Sequence, residues 1–191
     1  MRVAMIQMDM QLGKPEANFE KAEKLVRVAA ELKPDVITLP ETWNTGFFPR
    51  ENLKEASDVD LEQTKKLFSR LAKEYRVNII AGSVANCRDE KIYNTAAVFS
   101  RDGEVVMEYD KVHLFSPSGE HEYFEHGKNI CNFELDGIPC SLVICYDIRF
   151  PELIRSEMLA GSKVQFVVAQ WPDTRLLHWD TLNRARAIES Q

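Results

Sequence analysis

Cysteine is scarce in this sequence, and its spacing argues against two classes of small protein. The four thiols in 191 residues are Cys87, Cys131, Cys140 and Cys145. They are too few for the dense disulfide framework of a small secreted domain. No pair has the Cys-x-x-Cys spacing of a structural zinc site, so we expect no such site. The sequence therefore predicts a cytoplasmic protein with reduced thiols.

Long apolar runs and an excess of positive charge are also missing. No stretch approaches the length of a membrane-spanning helix. The N-terminal segment is interrupted by Asp9 and lacks the apolar core of a signal peptide. The formal net charge of -6 disfavours nucleic acid or an anionic membrane as the main partner. We therefore expect one globular domain over residues 1–191 that acts on small molecules.

Hydrophobic periodicity predicts that helices and strands alternate at the start of the chain. RVAMIQMD and DVITLP read as strands, and both NFEKAEKLVRVAAELK and DLEQTKKLFSRLAKEYR have the apolar spacing of an amphipathic helix. Asn18 is predicted to cap the first helix. Asp60 and Gln63 have the spacing of a capping box at the second.

Strand signals dominate the middle of the chain. Asp102-Gly103 and Asp136-Gly137 are typical of hairpin turns between strands. The strand segments are VNIIAGSVA, NTAAVFS, EVVMEYD, CNFEL and CSLVIC. Pro151 then opens a helix, VQFVVAQ reads as a strand, and LLHWDTLNRARAIES is helical. This order predicts an α/β layered sandwich.

Three chemically active side chains follow directly after predicted strands. Glu41 comes directly after DVITLP, Lys111 directly after EVVMEYD, and Cys145 directly after SLVI. In α/β sheets, ligands and chemistry collect outside the carboxyl ends of strands. These three residues are therefore expected to converge, although each alone also has a structural interpretation as a cap, a solvated edge charge or an inert core thiol.

Their chemistry is complementary. A thiol needs a base or a positive charge nearby to act as a nucleophile at neutral pH. Glu41 can take the thiol proton and pass it to a leaving amine. Lys111 can stabilise the negative charge on an attacked carbonyl oxygen, and the backbone N–H of Tyr146 is a second donor for that oxygen.

Three segments of the sequence resemble the signature motifs of the nitrilase superfamily of carbon-nitrogen hydrolases. They are LPETWNTGFFP, YDKVHLF and ICYDIRFPEL, and the family's catalytic residues fall on Glu41, Lys111 and Cys145. The resemblance implies an αββα four-layer sandwich, a covalent thioester intermediate, no metal and no cofactor. It also implies a homodimer joined near Pro151 and Leu177, and further strands beyond the ARAIES helix.

The same resemblance implies a second glutamate in the site. The segment SPSGEHEYFEHG is similar to the one that supplies it, and Glu120 is the matching position. Glu122 and Glu125 are alternatives.

The segment VAQWPDTRLLHWDTLNRARAIES resembles the omega-amidase branch, whose substrates carry a carboxylate away from the amide. Arginine suits such a carboxylate because its planar fork binds it bidentately. Arg149 and Arg175 are the candidates, and for Arg149 an ion pair with Asp147 or Glu152 is an equal alternative. The predicted substrate-binding set is completed by Tyr146 and by the pocket walls Trp43, Phe47 and Trp171.

Four other functions remain open at this point. The chain contains histidines, so a Cys-His hydrolase that pairs Cys145 with His113 is one alternative. An N-carbamoyl amino acid amidohydrolase or a nitrilase would use the same motifs. A non-catalytic binding protein on the same fold is the fourth.

Overall fold

The computed structural model describes all of residues 1–191 and contains five α-helices and nine strands. The helices are α1 (Pro15–Glu31), α2 (Leu53–Ala56), α3 (Glu62–Tyr75), α4 (Pro151–Leu159) and α5 (Leu176–Ser190). The strands are β1 (Val3–Met5), β2 (Val36–Thr38), β3 (Asp58–Val59), β4 (Asn78–Arg88), β5 (Lys91–Phe99), β6 (Val105–Asp110), β7 (Asn132–Leu135), β8 (Ile138–Ile144) and β9 (Val164–Val168). None of the helices has the length and apolar character needed to span a membrane.

The strands form two separate sheets. The larger sheet has the order β1-β2-β4-β5-β6, with β3 also paired to β4. Its β1, β2 and β4 are parallel, whereas β5 and β6 pair in antiparallel fashion. The smaller sheet has the order β7-β8-β9, in which β8 is antiparallel to β7 and parallel to β9.

Alternating side chains of the larger sheet divide the core into two layers. Ile37 and Ile79 pack with α1 and α3, while their neighbours Val36 and Ile80 pack against the smaller sheet. This is the two-residue period of a strand that is buried on both faces. The outer face of the smaller sheet contributes Val143 to a cluster with α4. The layers are therefore helix, sheet, sheet, helix, and the predicted αββα sandwich is confirmed.

The predicted caps of the first two long helices were wrong. α1 begins at Pro15, so Asn18 lies within its first turn, where its buried amide bonds to Gln11 and to the carbonyl of Asn44. Proline at the first helical position has its φ already set for the helix, which starts earlier for that reason. At α3 the backbone N–H groups of residues 63 and 64 bond to the carboxylate of Asp58 at 3.0 and 2.9 Å.

Asp58 takes the place of the capping box because of the backbone just before α3. Asp60 and Leu61 both have left-handed φ angles, of 51° and 59°. That turn lets the carboxylate of Asp58 accept the first free N–H groups of the helix.

Both predicted hairpin turns are present. Gly103 connects β5 to β6 with φ 84°, and a Cβ there would lie 2.5 Å from the carbonyl oxygen of Ser69. Asp136 and Gly137 connect β7 to β8 with φ 52° and 78°, the two positive values that a two-residue hairpin loop requires.

Glu157 is a fully buried acid between α4 and the smaller sheet. Its carboxyl group accepts hydrogen bonds from the backbone N–H of Cys131 at 3.2 Å and the side chain of Gln165 at 2.7 Å. Burial outweighs these bonds and raises the pKa of Glu157 to about 8. Glu157 does not line the cavity of the site described next, and it bears on stability.

Candidate active site

The three predicted residues do meet, because of strand direction. β4 is parallel to β2, and two antiparallel steps through β5 return β6 to the same direction. Glu41 and Lys111 therefore leave the same edge of the larger sheet, and Nζ of Lys111 lies 2.7 Å from Oε1 of Glu41. Cys145 follows β8 of the facing sheet. Its Sγ lies 4.0 Å from the carbonyl oxygen of Gln170, the residue whose backbone N–H donates to Glu41.

Glu120 is the second carboxylate of this cluster. Its oxygens lie 2.9 and 3.1 Å from Nζ of Lys111, and one of them accepts the backbone N–H of Phe115 at 2.5 Å. The alternatives do not reach the site: Glu122 and Glu125 are exposed, and Glu125 pairs with Lys91 at 3.4 Å. Of the three candidates, Glu120 alone contacts Lys111.

Two neutral residues that sequence reasoning missed complete the cluster. The side-chain amide of Asn94 donates to Glu41 at 3.0 Å and to Glu120 at 3.1 Å. The backbone N–H of Gln170 donates to Oε2 of Glu41 at 2.9 Å. Asparagine is disfavoured within strands, so the Asn94 of NTAAVFS was the available signal. Gln170 binds through its backbone, which leaves no signal in the residue type.

The two neighbouring carboxylates determine the charge state of Lys111. Lys111, Glu41 and Glu120 have almost no exposed surface. Burial alone would lower the pKa of Lys111, but the charges of Glu41 and Glu120 outweigh burial and raise it. Lys111 is therefore an ammonium group across neutral pH. Two carboxylates with one ammonium leave a net negative charge, which the N–H donors of Asn94, Gln170 and Phe115 stabilise.

The pKa of Cys145 is raised well above its ordinary value. Burial is the largest cause and the Glu41 carboxylate the second, while Lys111 offsets them only in part. The resting site therefore contains a neutral thiol, and a base must remove its proton when substrate is attacked. The charge of Glu41 acts directly on the pKa of that thiol, and this makes Glu41 the candidate base.

The backbone at Cys145 is strained. Its φ is 48°, and it is the first residue of a 3-10 turn, Cys145–Arg149. Such a conformation costs a non-glycine residue roughly 1–3 kcal/mol. The buried Asp147 stabilises the turn by accepting hydrogen bonds from the N–H of Ile144 at 3.1 Å and the hydroxyl of Tyr109 at 2.8 Å. The turn presents the thiol at the end of the sheet, as in other strand-to-helix nucleophile sites.

His113 is committed to other contacts. Its Nδ1 lies 2.9 Å from Asp147, and its ring stacks on Phe150 with centroids 3.6 Å apart. No histidine lines the cavity that contains Cys145. The geometry therefore favours Glu41 over His113 as the base.

A cavity of about 380 Å³ opens over Cys145 and Lys111. Five of the six predicted substrate-binding residues line it: Phe47, Tyr146, Arg149, Trp171 and Arg175. Phe115, Ser118, Gln170 and Pro172 complete the lining. Its size suits a small organic substrate.

Trp43 is not part of this cavity, and its prediction as a pocket wall was wrong. Its indole is fully buried on the helix side of the larger sheet, edge-on to Phe19 and Phe68 at 4.7 and 5.7 Å. Its Nε1–H donates to the carbonyl of Ala81 at 2.6 Å. Packing so large a ring in the helix-side core removes more apolar surface from water than a place in an open cavity would.

Neither arginine of the cavity forms an ion pair with a carboxylate of the chain. Arg149 lies over the Trp171 ring at 5.1 Å and contacts Nδ1 of His178 at 3.1 Å. Arg175 lies over the Phe115 ring at 4.9 Å. The ion pair of Arg149 with Asp147 or Glu152 is therefore not formed, and both guanidinium groups remain able to bind an anion.

Comparison with known proteins agrees with this geometry. Residues 2–191 match the family model described as carbon-nitrogen hydrolase. The chain belongs to this family, within the nitrilase superfamily, and is an amidase-type carbon-nitrogen hydrolase.

Two similar proteins carry more specific names than the family model. The chain is 42% identical to the 2-oxoglutaramate amidase of Bacillus subtilis over 99% of its own length and 72% of that protein's. It is 31% identical to the omega-amidase NIT2 of Homo sapiens, over 100% and 71% of the two lengths. A CN-hydrolase superfamily protein of Xanthomonas campestris, solved with an arsenic adduct in its active site, matches with a TM-score of 0.89 and 30% identity over 99% and 72%.

Proposed function

We propose that this protein is an omega-amidase that hydrolyses the amide of a small carboxylate-bearing substrate such as 2-oxoglutaramate. One observation carries the proposal: a buried Glu41–Lys111–Cys145 cluster and two arginines without carboxylate partners face one cavity of about 380 Å³. The first group suits acyl transfer, and the second suits a carboxylate at the far end of a short substrate. The name of the Bacillus subtilis relative supports the same substrate.

The first half-reaction forms a thioester and releases ammonia. Glu41 takes the proton of Cys145 as the sulfur attacks the amide carbon, and a C–S bond forms. The oxyanion is stabilised by Nζ of Lys111 and the backbone N–H of Tyr146. When the tetrahedral intermediate collapses, the C–N bond breaks and Glu41 returns its proton to the leaving nitrogen.

The second half-reaction uses water. Glu41 takes a proton from water as its oxygen attacks the thioester carbon, and a C–O bond forms. The C–S bond then breaks, and the thiolate takes the proton back from Glu41. Glu120 does not act as the base; its oxygens lie 2.9 and 3.1 Å from the Lys111 ammonium and hold it in place through both steps.

The substrate carboxylate is assigned to Arg175 and Arg149. Each arginine lies over an aromatic ring, which keeps the guanidinium plane in position and leaves N–H groups for the anion. The net charge of -6 does not attract anions, so binding depends on these local cations. Phe47 and Trp171 form apolar walls beside the short carbon chain.

An ammonia-release screen tests the proposal. It compares 2-oxoglutaramate, 2-oxosuccinamate, glutamine, simple nitriles and N-carbamoyl amino acids, with Cys145→Ala as the inactive control. We expect the oxo-acid amides to be hydrolysed fastest and a substrate-derived acyl adduct to form on Cys145. Faster turnover of nitriles or N-carbamoyl compounds rejects the omega-amidase assignment, and an adduct on Cys87, Cys131 or Cys140 rejects the nucleophile.

We also propose a homodimer and a cytoplasmic location. No side chain of α5 is buried, and Leu176, Leu177 and Ile188 on it are largely exposed, which is expected of a helix that meets a second copy. All four cysteines are free, which is consistent with a reducing compartment. Light scattering of the purified chain measures the mass, and Leu177→Asp should lower it from dimer to monomer if α5 forms the interface. Cell fractionation tests the location.

A further inference from the structure

Asn94 contacts all three charged residues of the cluster, although it carries no charge. Its two amide N–H groups donate to Glu41 and Glu120, at 3.0 and 3.1 Å. Its backbone carbonyl accepts the N–H of Lys111 at 2.9 Å. Asn94 is fully buried within β5 and does not line the substrate cavity. It therefore reaches substrate only through the residues that it holds.

The orientation of this amide is fixed by the two carboxylates. Ionised carboxylates only accept hydrogen bonds, so the NH₂ group of Asn94 must face them. The opposite atom, Oδ1, is buried and has no partner. A buried acceptor without a partner is rare and unfavourable, and it is retained here because the flipped amide would place oxygen against the oxygens of Glu41 and Glu120. The orphaned atom marks a side chain selected for donation to the site.

We propose that Asn94 is a positioning residue of the hydrolysis, whose side-chain amide spaces and orients Glu41 and Glu120 around Lys111. The inference rests on the proposed function, because it assigns a role within that reaction. Lys111 supplies one positive charge for two carboxylates. Asn94 supplies two further donors, one to each carboxylate, which hold Glu41 and Glu120 in place around Lys111.

The groups that face the two carboxylates define the expected pH dependence. The ammonium of Lys111, after β6, contacts both carboxylates, and the thiol of Cys145 follows β8 on the facing sheet. The remaining partners are the neutral backbone donors of Phe115 and Gln170. Hydrogen bonds to the ionised form favour it. Without the Asn94 amide each carboxylate loses one donor to its ionised form, so we expect the acidic limb of the pH–rate profile to move to higher pH.

The test compares three substitutions that differ in the hydrogen-bond donors they keep. Asn94→Ala removes both donors, Asn94→Ser keeps one hydroxyl donor at almost the volume of alanine, and Asn94→Asp keeps the shape but replaces the amide with a carboxyl group. We expect the acidic limb of the kcat/KM profile to move up by roughly one to two pH units in Asn94→Ala. The size follows from the free energy of a hydrogen bond to a charged group, converted to pH units. Asn94→Ser should fall between alanine and the wild type, and Asn94→Asp should be at least as impaired as alanine.

A second readout needs no substrate. Alkylation of Cys145 by iodoacetamide, followed by mass spectrometry across pH, should show upward shifts in the same order among the three variants. If the wild type releases no ammonia but the alkylation profile shifts, the proposed function fails and the role of Asn94 stands. For a variant of low stability, a melting curve identifies the conditions under which it is folded. Alkylation is then measured on the folded protein.

Asn86 provides the matched control. It is a buried asparagine on the neighbouring strand β4, and its amide bonds to Thr95 at 3.2 Å instead of to the cluster. Asn86→Ala should lower the melting temperature without moving the acidic limb. An Asn94→Ala enzyme with the wild-type limb, or an Asn94→Asp enzyme with the wild-type profile, overturns the proposal, because either result reduces Asn94 to a packing residue.

Discussion

Replacing Lys111 with methionine tests the electrostatic design of the site most directly. Methionine keeps the length of the side chain but removes its charge, and Glu41 and Glu120 then face each other in a site with almost no exposed surface. Breaking a buried ion pair by removing one partner costs about 3–5 kcal/mol, because the remaining charge is left uncompensated. Here two carboxylates lose the same cation.

The expected size of the effect can be stated as a melting temperature. For a domain of this size, each kcal/mol shifts the melting temperature by about 2–4 °C. Lys111→Met should therefore lower it by roughly 10 °C near neutral pH. The loss should shrink as the pH falls, because a proton on one carboxylate then replaces the lysine charge. The wild type keeps the contribution of Lys111 throughout this range, since its raised folded-state pKa means that the contribution is lost only in strong alkali.

Thermal unfolding followed by circular dichroism measures the effect, with a compensating variant as the control. Lys111→Met with Glu120→Gln removes one negative charge together with the positive one, so it should recover a large part of the lost stability at neutral pH. It should not recover activity, because the oxyanion donor is still absent. A Lys111→Met protein within 1 °C of the wild type, or a double variant less stable than the single one, would refute this account of the charges.

Three further predictions follow from the site and the core. Glu41→Gln should lower kcat by about 10²–10⁴, the usual contribution of a general base, while His113→Ala should be far milder; the reverse order in steady-state kinetics would restore the Cys-His mechanism. Arg175→Ala should raise KM for 2-oxoglutaramate by about ten- to a hundredfold and barely affect a neutral amide of similar size; equal losses would indicate packing alone. Glu157 has a folded-state pKa of about 8 against an ordinary value of 4.5, so its stabilising contribution is complete below that ordinary value and is lost as the pH rises towards 8. Glu157→Gln should remove this pH-dependent loss, which amounts to at most about 5 kcal/mol at 1.36 kcal/mol per pKa unit. Urea unfolding at several pH values measures it, and an unchanged dependence of the unfolding free energy on pH would contradict the assignment.

Local sequence signals predicted most of the elements correctly and missed mainly at their ends. The apolar spacing of α1 and α3 and the turns at Gly103 and Gly137 depend on neighbouring residues, which a linear pattern contains. The caps failed because they depend on where the chain turns. Pro15 started α1 early, and two left-handed residues before α3 gave the capping role to Asp58.

The sequence by itself determined the class of this protein and the residues that could carry its chemistry. Glu41, Lys111 and Cys145 each follow a strand segment, and the motifs around them resemble one family that the comparison confirmed. Strand-end chemistry is visible in sequence because strand and turn signals are local. Glu120 was also reached from its motif, although its choice over Glu122 and Glu125 required the contact with Lys111.

Only the tertiary structure decided which neutral groups complete the site and which predicted wall residue lies outside it. Asn94 and Gln170 join the cluster through strands and a loop that are far apart along the chain, and Gln170 does so with its backbone. Trp43 stands two residues from Glu41 but packs on the helix side of the sheet. Hydrogen-bond partners and the direction of a side chain after a turn depend on where distant segments pack, and this information lies in the pairing of β2, β5, β6 and β8 across two sheets.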